Sequence, residues 1–247
     1  MAEWQYSGGV VLASRFEANP PEWSVRAGVG AEELPRYPGS ARYRTQPGLD
    51  IDVRYRDRAF FSLGEGLGVN LTAGHAHRIG VALTYDLGRK EKRDPHLRGL
   101  GDIGPCPELK FFAEYVMFPL VVRMDVRRGF GGHRGWIGDL GAYLPLAGSS
   151  HFFVMAGPGV MFGDSRYQQS YFGITAEQSA RSVYAPYSAG GGLSSASFGL
   201  DAAWIINPHW MLEGQGAAQR LLGSGVDSPL RLSQNQIVGG LFLSYLY

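Results

Sequence analysis

Along most of this 247-residue chain, apolar and polar side chains alternate one residue at a time. Leu49, Ile51, Val53 and Tyr55 alternate with Asp50, Asp52, Arg54 and Arg56. Ile79, Val81, Leu83, Tyr85 and Leu87 alternate with Arg78, Gly80, Ala82, Thr84 and Asp86. Further on, Leu109, Phe111, Ala113, Tyr115 and Met117 share one face, opposite Glu108, Lys110, Phe112 and Glu114. Leu120, Val122, Met124 and Val126 then stand against Arg123, Asp125 and Arg127. A period of two sends successive side chains to opposite sides of a strand, so each segment has a greasy face and a charged one. The final stretch, Gln236 to Tyr247, puts Ile237, Gly239, Leu241, Leu243, Tyr245 and Tyr247 on one face.

Alternation and turn signals together predict about twelve strands, with ten as the alternative, and no long helix. The remaining segments run near Trp4–Ser14, Trp23–Ala31, Phe60–Leu71, Trp136–Leu144, Phe152–Phe162, Ser194–Ile206 and up to Arg220. Asp139 points inward on its strand. The segment Phe152–Phe162 is apolar on both faces, which predicts packing by a plug or loop. Phe118-Pro119 reads as a two-residue turn, setting Met117 opposite Leu120 and Glu114 opposite Arg123, with Asp125 near Lys110 on the diagonal. Asn207-Pro208-His209 reads as a three-residue turn with Ile206 opposite Trp210. Long irregular segments fall near 32–45, 88–107, 163–192 and 221–235. Within the third of these, Thr175 followed by Gln178 reads as the start of a short helix.

Two architectures accommodate such strands. In a soluble sandwich the apolar faces meet each other and the charges meet water. In a transmembrane antiparallel up-and-down β-barrel the apolar faces meet lipid and the charges line the lumen. Trp4, Trp23, Trp136, Trp204 and Trp210 all fall near ends of the expected strands, as in an interfacial aromatic belt. An apolar terminal strand is safe in a closed barrel, which has no free edge. The expectation is therefore a single barrel domain over 1–247. With the C-terminus in the periplasm, the turns near 118–119, 148–149 and 207–208 fall on that side. So does 32–45, while 88–107, 163–192 and 221–235 are external.

Composition agrees without deciding. Hydrophobic residues make up 45%, and the formal net charge of +1 offers no bulk attraction to nucleic acid. Mean hydropathy is −0.12, a measure blind to barrels because only alternate residues face lipid. The 36 glycines and 13% aromatic content suit crowded strands flanked by aromatic girdles. Cys106 is the single cysteine, so no internal disulfide is expected. The first residues lack a basic region followed by an apolar core, as in a mature exported protein whose leader has been replaced by a start Met.

The charges expected to face the lumen are Asp50, Asp52, Arg54, Arg56, Lys110, Glu114, Arg123, Asp125, Arg127 and Asp139. They carry both signs, which suits either a self-neutralised interior or a narrow polar pore. Tyr167, Tyr171, Phe172, Tyr184 and Tyr187 give the 163–192 segment an aromatic content unlike that of a disordered loop. They mark it as an external lid or ligand-binding loop. His75 and His77 sit about 7 Å apart on one face of a strand end, without a third ligand beside them. The Gly-rich runs at 64–68 and 189–192 lack the lysine and helix of a phosphate loop. No spacing singles out a nucleophile with its base. The expectations are thus no catalytic residue, no metal and no cofactor.

Three runs carry a family resemblance: Gly64-Glu65-Gly66-Leu67-Gly68-Val69-Asn70-Leu71, Thr84-Tyr85-Asp86-Leu87-Gly88-Arg89 and Leu97-Arg98-Gly99-Leu100-Gly101-Asp102-Ile103. So do Tyr167-Gln168-Gln169-Ser170-Tyr171-Phe172-Gly173-Ile174-Thr175, Ala180-Arg181-Ser182 and Ser228-Pro229. In order and spacing the chain resembles the MipA/OmpV family from about Val29 onward, departing at Cys106 and at a terminal Tyr in place of Phe. The resemblance implies a non-enzymatic barrel of the Gram-negative outer membrane. It implies a scaffold that docks a lytic transglycosylase and a murein synthase of peptidoglycan turnover, or alternatively a porin-like small-solute channel.

Overall fold

A computed structural model describes residues 21–247. Its strands are β1 (Trp23–Pro35), β2 (Tyr43–Tyr55), β3 (Ala59–Ser62), β4 (Gly66–Ala73), β5 (His77–Asp86) and β6 (Cys106–Met117). They continue with β7 (Leu120–Gly129), β8 (Trp136–Gly148), β9 (Phe152–Gly163), β10 (Gly192–Asn207), β11 (Trp210–Leu221) and β12 (Asn235–Leu246). Each pairs antiparallel with its sequence neighbour, and β1 pairs with β12, so the twelve strands close into a barrel.

The predicted alternation fixes which way each strand faces. Leu49 is 61% exposed and Leu241 55%, while Asp52 on β2 is buried inside. Phe111, Met124, Val126, Leu200 and Leu243 are likewise exposed, and Glu108, Lys110, Glu114, Asp125 and Arg127 are buried. This is an inside-out protein with apolar side chains turned away from the axis, the arrangement that lipid selects. Trp23, Trp136 and Trp210 each open a strand, and Trp204 lies close to the end of β10; all four are exposed, as an aromatic belt requires.

Twelve strands are present, but not the twelve expected. The segment Trp4–Ser14 lies outside the described residues. The segment Phe60–Leu71 is two strands rather than one, because the chain reverses at Leu63-Gly64-Glu65. Ser62 Oγ accepts the Gly64 N–H at 3.2 Å. Gly66 follows with φ +92, and a Cβ there would lie 2.1 Å from the Leu83 carbonyl oxygen, so only glycine fits. The reversal carries Glu65 into the lumen.

That extra hairpin changes the sidedness of one loop. The connections near 36–42, 63–65, 87–105, 130–135, 164–191 and 222–234 share one end of the strand order. The tight turns 56–58, 74–76, 118–119, 149–151 and 208–209 share the other, with the start of β1 and the end of β12. The 32–45 segment was expected among the short turns; it lies instead at the long-loop mouth. There Tyr37 packs with Leu97, Leu100, Ile174 and Leu230.

Two details of register complete the fold. Met117 is opposite Leu120 and Glu114 opposite Arg123, as expected. The β10–β11 turn is tighter than expected: Asn207 pairs with Trp210, and the register slips between Ile205 and Asn207. Asn207 Oδ1 accepts the N–H groups of His209 and Trp210 at 2.9 and 3.0 Å, a side-chain turn that replaces the Ile206–Trp210 pairing.

Candidate functional site: a charged lumen under an aromatic cap

The inward positions of β2 to β8 carry ion pairs in two groups, one through Arg54 and Arg123 and one around Arg127. Arg54 holds Asp52 through two bonds of 2.8 and 2.9 Å and reaches Glu65 at 2.9 Å. Glu65 also receives Arg123 at 3.1 Å, and Arg123 lies 3.4 Å from Glu114. Glu114 is in turn 3.3 Å from Arg78, which pairs with Asp57 in the short-turn rim. Arg127 gathers Asp125 at 2.9 Å, Asp139 and, at 3.9 Å, Glu108. A third group joins Arg26 to Asp50 at 2.8 Å and to Glu213 at 3.3 Å. Buried charge left unpaired costs several kcal/mol, so these pairings are what allow the charges to be buried.

Nine of the ten charges expected in the lumen have side chains turned into the barrel. The expected Glu114–Arg123 pair is present at 3.4 Å. Asp125 is the diagonal neighbour of Lys110, as expected, and salt-bridges Arg127 at 2.9 Å; the Lys110 ammonium lies 5.5 Å from the Phe112 ring centroid. Arg56 is the exception. It sits in the β2–β3 turn with φ +48 and an exposed side chain paired to Glu22 at 2.7 Å. Alternation ends where the strand ends, and Tyr55 is the last residue of β2. Glu65, Arg78 and Glu108 complete these ion pairs. Arg78 and Glu108 were legible as inward by parity, but Glu65 depended on the unforeseen hairpin.

Between the charged wall and β9–β10 lies a space of about 10 Å³ bounded by Arg123, Asp125, Asp139, Tyr143, Gly159 and Ser197. That is scarcely room for one water.

At the long-loop mouth, α1 (Ser165–Phe172) and α2 (Ala176–Arg181) fold over the opening, joined by α3 (Ser224–Asp227) from the last loop. Asp164 caps α1 by accepting the Tyr167 N–H at 2.9 Å. Thr175 and Gln178 form the expected capping box on α2. Tyr167, Tyr171 and Phe172 are buried against Ile103, Ile137, Met161 and Leu221. Tyr187 packs on both aromatic clusters of the mouth, and Tyr184 on the one around Tyr37. The segment expected as a lid or ligand loop is thus a packed cap; of β9 it covers Met161, while Met155 packs on Tyr143 of the wall.

Cross-loop hydrogen bonds lock the cap down. Tyr171 donates to Asp86 at 2.6 Å, and Arg89 donates to the Tyr171 carbonyl at 3.0 Å. Ser228 donates to the Phe172 carbonyl at 2.7 Å, and Gln178 to the Leu100 carbonyl at 2.6 Å. Tyr37 donates to the Leu230 carbonyl at 3.1 Å; burial raises this phenol, which keeps its proton in place to donate.

Asp86, Glu108 and His133 converge under the cap, all buried, in a cluster that spacing along the chain could not reveal. Its chemistry is settled by the imidazole. His133 Nδ1 accepts the Gly135 N–H at 3.0 Å, which places the ring proton on Nε2. Nε2 lies 3.0 Å from Glu108 Oε1 and 3.8 Å from Asp86 Oδ2. The nitrogen that faces both acids is therefore a donor and offers no lone pair to a cation. The trio continues the chain from Arg127 through Glu108 and Asp86 to Tyr171, tying wall to cap.

A closed wall with lipid-facing apolar side chains, a self-paired interior and a packed mouth defines a transmembrane β-barrel. The model of the family "MltA-interacting protein MipA" matches residues 27–247, and the chain belongs to that family. No curated protein matches it. Among solved structures, the NanC porin is 10% identical, with 91% of this chain and 98% of that chain covered and a TM-score of 0.43. An outer membrane channel from Pseudomonas putida F1 is 8% identical, at 94% and 98% coverage and TM-score 0.45. The outer membrane protein OprD from Pseudomonas aeruginosa is 11% identical, at 89% and 65% coverage and TM-score 0.39. These likenesses are of barrel shape, and the architecture of this chain rests on its own strand pairing.

Proposed function

We propose that this protein is a sealed, non-enzymatic anchor in the Gram-negative outer membrane. It holds a murein-acting partner on its periplasmic rim and is not an open solute channel. The observation that carries this reading is the interior: Arg78, Glu108, Lys110, Glu114 and Arg127 are all at most 3% exposed. A water-filled pore would leave such charges wet. The partner class comes from the family, whose description names interaction with MltA; the resemblance implies a lytic transglycosylase and a murein synthase.

Outer-membrane barrels keep short turns in the periplasm and long loops outside. By that rule the partner meets the short-turn rim, not the 32–45 segment. Phe118 is 90% exposed on that rim, between the 74–76 and 149–151 turns in the strand order, and is the natural anchor of a docking patch. The test is capture of a purified lytic transglycosylase by the intact barrel in detergent. Phe118→Ser is expected to weaken capture by at least about tenfold. Replacing residues 36–42 is expected to leave it unchanged. Capture that survives the first variant and fails with the second would overturn the orientation. Steady conductance of the intact protein in planar bilayers would overturn the sealed lumen and restore the channel reading.

A further inference from the structure

The outward rim above β7 and β8 carries charges that neither the lumen nor the cap uses. Arg128 lies on the lipid-facing side of β7, on the same face as the exposed Met124 and Val126, while its neighbour Arg127 points inward. It pairs in register with Trp136, the first residue of β8, and its guanidinium stands 5.6 Å over that indole. A cation stacked on a belt tryptophan at the end of an apolar face marks the headgroup level.

Arg134 lies in the loop just above. Its backbone is held at φ +48, an unusual conformation for a residue with a Cβ. Its carbonyl accepts from Arg128 Nη1, and the next residue, Gly135, is fixed by its bond to His133. The strained turn therefore holds Arg134 out beside Arg128. Arg166, in the first turn of α1, is exposed across a bowl of about 810 Å³ from Arg134; Ser165 and Ser170 also line this bowl.

Among the described residues, none of these three guanidinium groups has a carboxylate within 4.0 Å. The nearby Asp164 turns its Oδ1 to the Tyr167 N–H. Arg134 and Arg166 line the bowl with no acid among its lining residues, and Arg128, bonded to the Arg134 carbonyl, lies beside it. On the membrane side of the Arg128–Trp136 pair, Val126, Met124 and Leu140 are exposed on β7 and β8, an apolar ledge continuous with the lipid-facing wall.

We infer that this rim binds the phosphorylated headgroup of an outer-leaflet glycolipid. The guanidiniums of Arg128, Arg134 and Arg166 take the phosphates, the serine hydroxyls take the sugar, and the acyl chains lie on the ledge. Arginine forks suit phosphate oxygens, and bidentate pairing adds geometric specificity to charge. The apolar ledge selects a lipid over free phosphate. The choice of leaflet rests on the orientation proposed above.

The test uses the whole barrel in detergent and native mass spectrometry, with four probes: diphosphorylated lipid A, its dephosphorylated form, dioleoylphosphatidylglycerol and inorganic phosphate. Diphosphorylated lipid A is expected to be retained over the dephosphorylated form and over phosphatidylglycerol. The triple variant Arg128→Gln, Arg134→Gln, Arg166→Gln is expected to lose on the order of 100-fold in retention, from about a fivefold step per surface arginine. Its heat-dependent gel mobility should match the parent, since none of the three enters the core. Equal retention of the two lipid A forms, unchanged retention by the variant, or displacement by millimolar inorganic phosphate would each overturn the site. So would retention of phosphatidylglycerol equal to that of lipid A. Orientation is read separately, by labelling Val183→Cys in intact cells with an impermeant maleimide. Failure to label would sink the orientation while leaving the in vitro lipid result to decide the site.

Discussion

The inner wall of this barrel has two unlike halves. From β2 to β8 it is built of long charged side chains, from Asp52 and Arg54 round to Arg127 and Asp139. From β9 to β12 it is built largely of small or neutral ones, among them Gly157, Gly159, Ser195, Ala203, Ala217, Gln219 and Val238. Asp201 and Glu213 are the acidic exceptions, and Glu213 answers to Arg26. The outer wall shows no such division, because lipid makes the same demand all round. The halves are complementary in volume: Arg123, Asp125 and Asp139 reach toward Gly159 and Ser197. On the sealed-lumen reading proposed above, closure is a matter of fit between the halves, and each half should fail in its own way when altered.

The charged half should fail hardest. Asp125 and Asp139 are directly opposite each other on β7 and β8, and Arg127 bridges them. Arg127→Ala leaves two facing carboxylates with their shared cation gone. The expected loss is about 3–5 kcal/mol, read as a lower urea midpoint by tryptophan fluorescence in lipid vesicles. A value near zero would mean that water already reaches this network.

The outer wall should not distinguish the halves. Phe111 on β6 and Leu241 on β12 both face lipid. An arginine at either place is expected to cost about 2–4 kcal/mol if it sits near the bilayer midplane. The same unfolding measurement should give similar losses for Phe111→Arg and Leu241→Arg. A large difference would mean that one of the two faces protein rather than lipid.

The neutral half should fail by crowding. A Cβ built on Gly157 would lie 1.9 Å from the Ala142 carbonyl oxygen, a backbone atom that cannot swing aside. Gly157→Ala is expected to cost about 1–3 kcal/mol through strain, with no change in charge. Gly138 has no neighbour closer than 3.7 Å to such a Cβ, so Gly138→Ala serves as the mild control.

How much of this could be read in the sequence follows from what alternation encodes. Parity along a strand encodes which face a side chain takes, so Asp52, Glu114 and Arg123 were placed correctly without coordinates. Parity encodes neither strand ends nor loop paths. Arg56 was misplaced because the period ran one residue past the strand. Glu65 was missed because Gly64 and Gly66 break an otherwise continuous strand pattern, and the sidedness of 32–45 turned on that same break. The Asp86–Glu108–His133 cluster joins two strands and a loop, and no local spacing links them. The aromatic residues of 163–192 gave a true signal of order, but burial beneath a cap and exposure on a lid need the same residue types.

The mouth loops set both halves against water, and the smallest effect is expected there. Glu91 is half-buried, and its two carboxylate oxygens accept the N–H groups of Gly99 at 3.0 Å and Gly101 at 2.7 Å. Gly99 and Gly101 have φ values of +88 and +75, so the loop relies on glycines there, and Glu91 pins both. Those amide bonds favour the charged form and hold the Glu91 carboxyl below its ordinary range. A lowered folded value means the stabilisation is complete above the ordinary carboxylate range and is lost as pH falls through the lowered one. Amide protection at Gly99 and Gly101, corrected for intrinsic exchange, should therefore persist through mild acid and vanish only below the usual titration range of glutamate. Glu91→Gln should abolish that pH dependence and unprotect one of the two amides, since a carboxamide offers a single acceptor oxygen. Loss of protection already in mild acid would show that another group holds the loop, while barrel unfolding should not register the change at all.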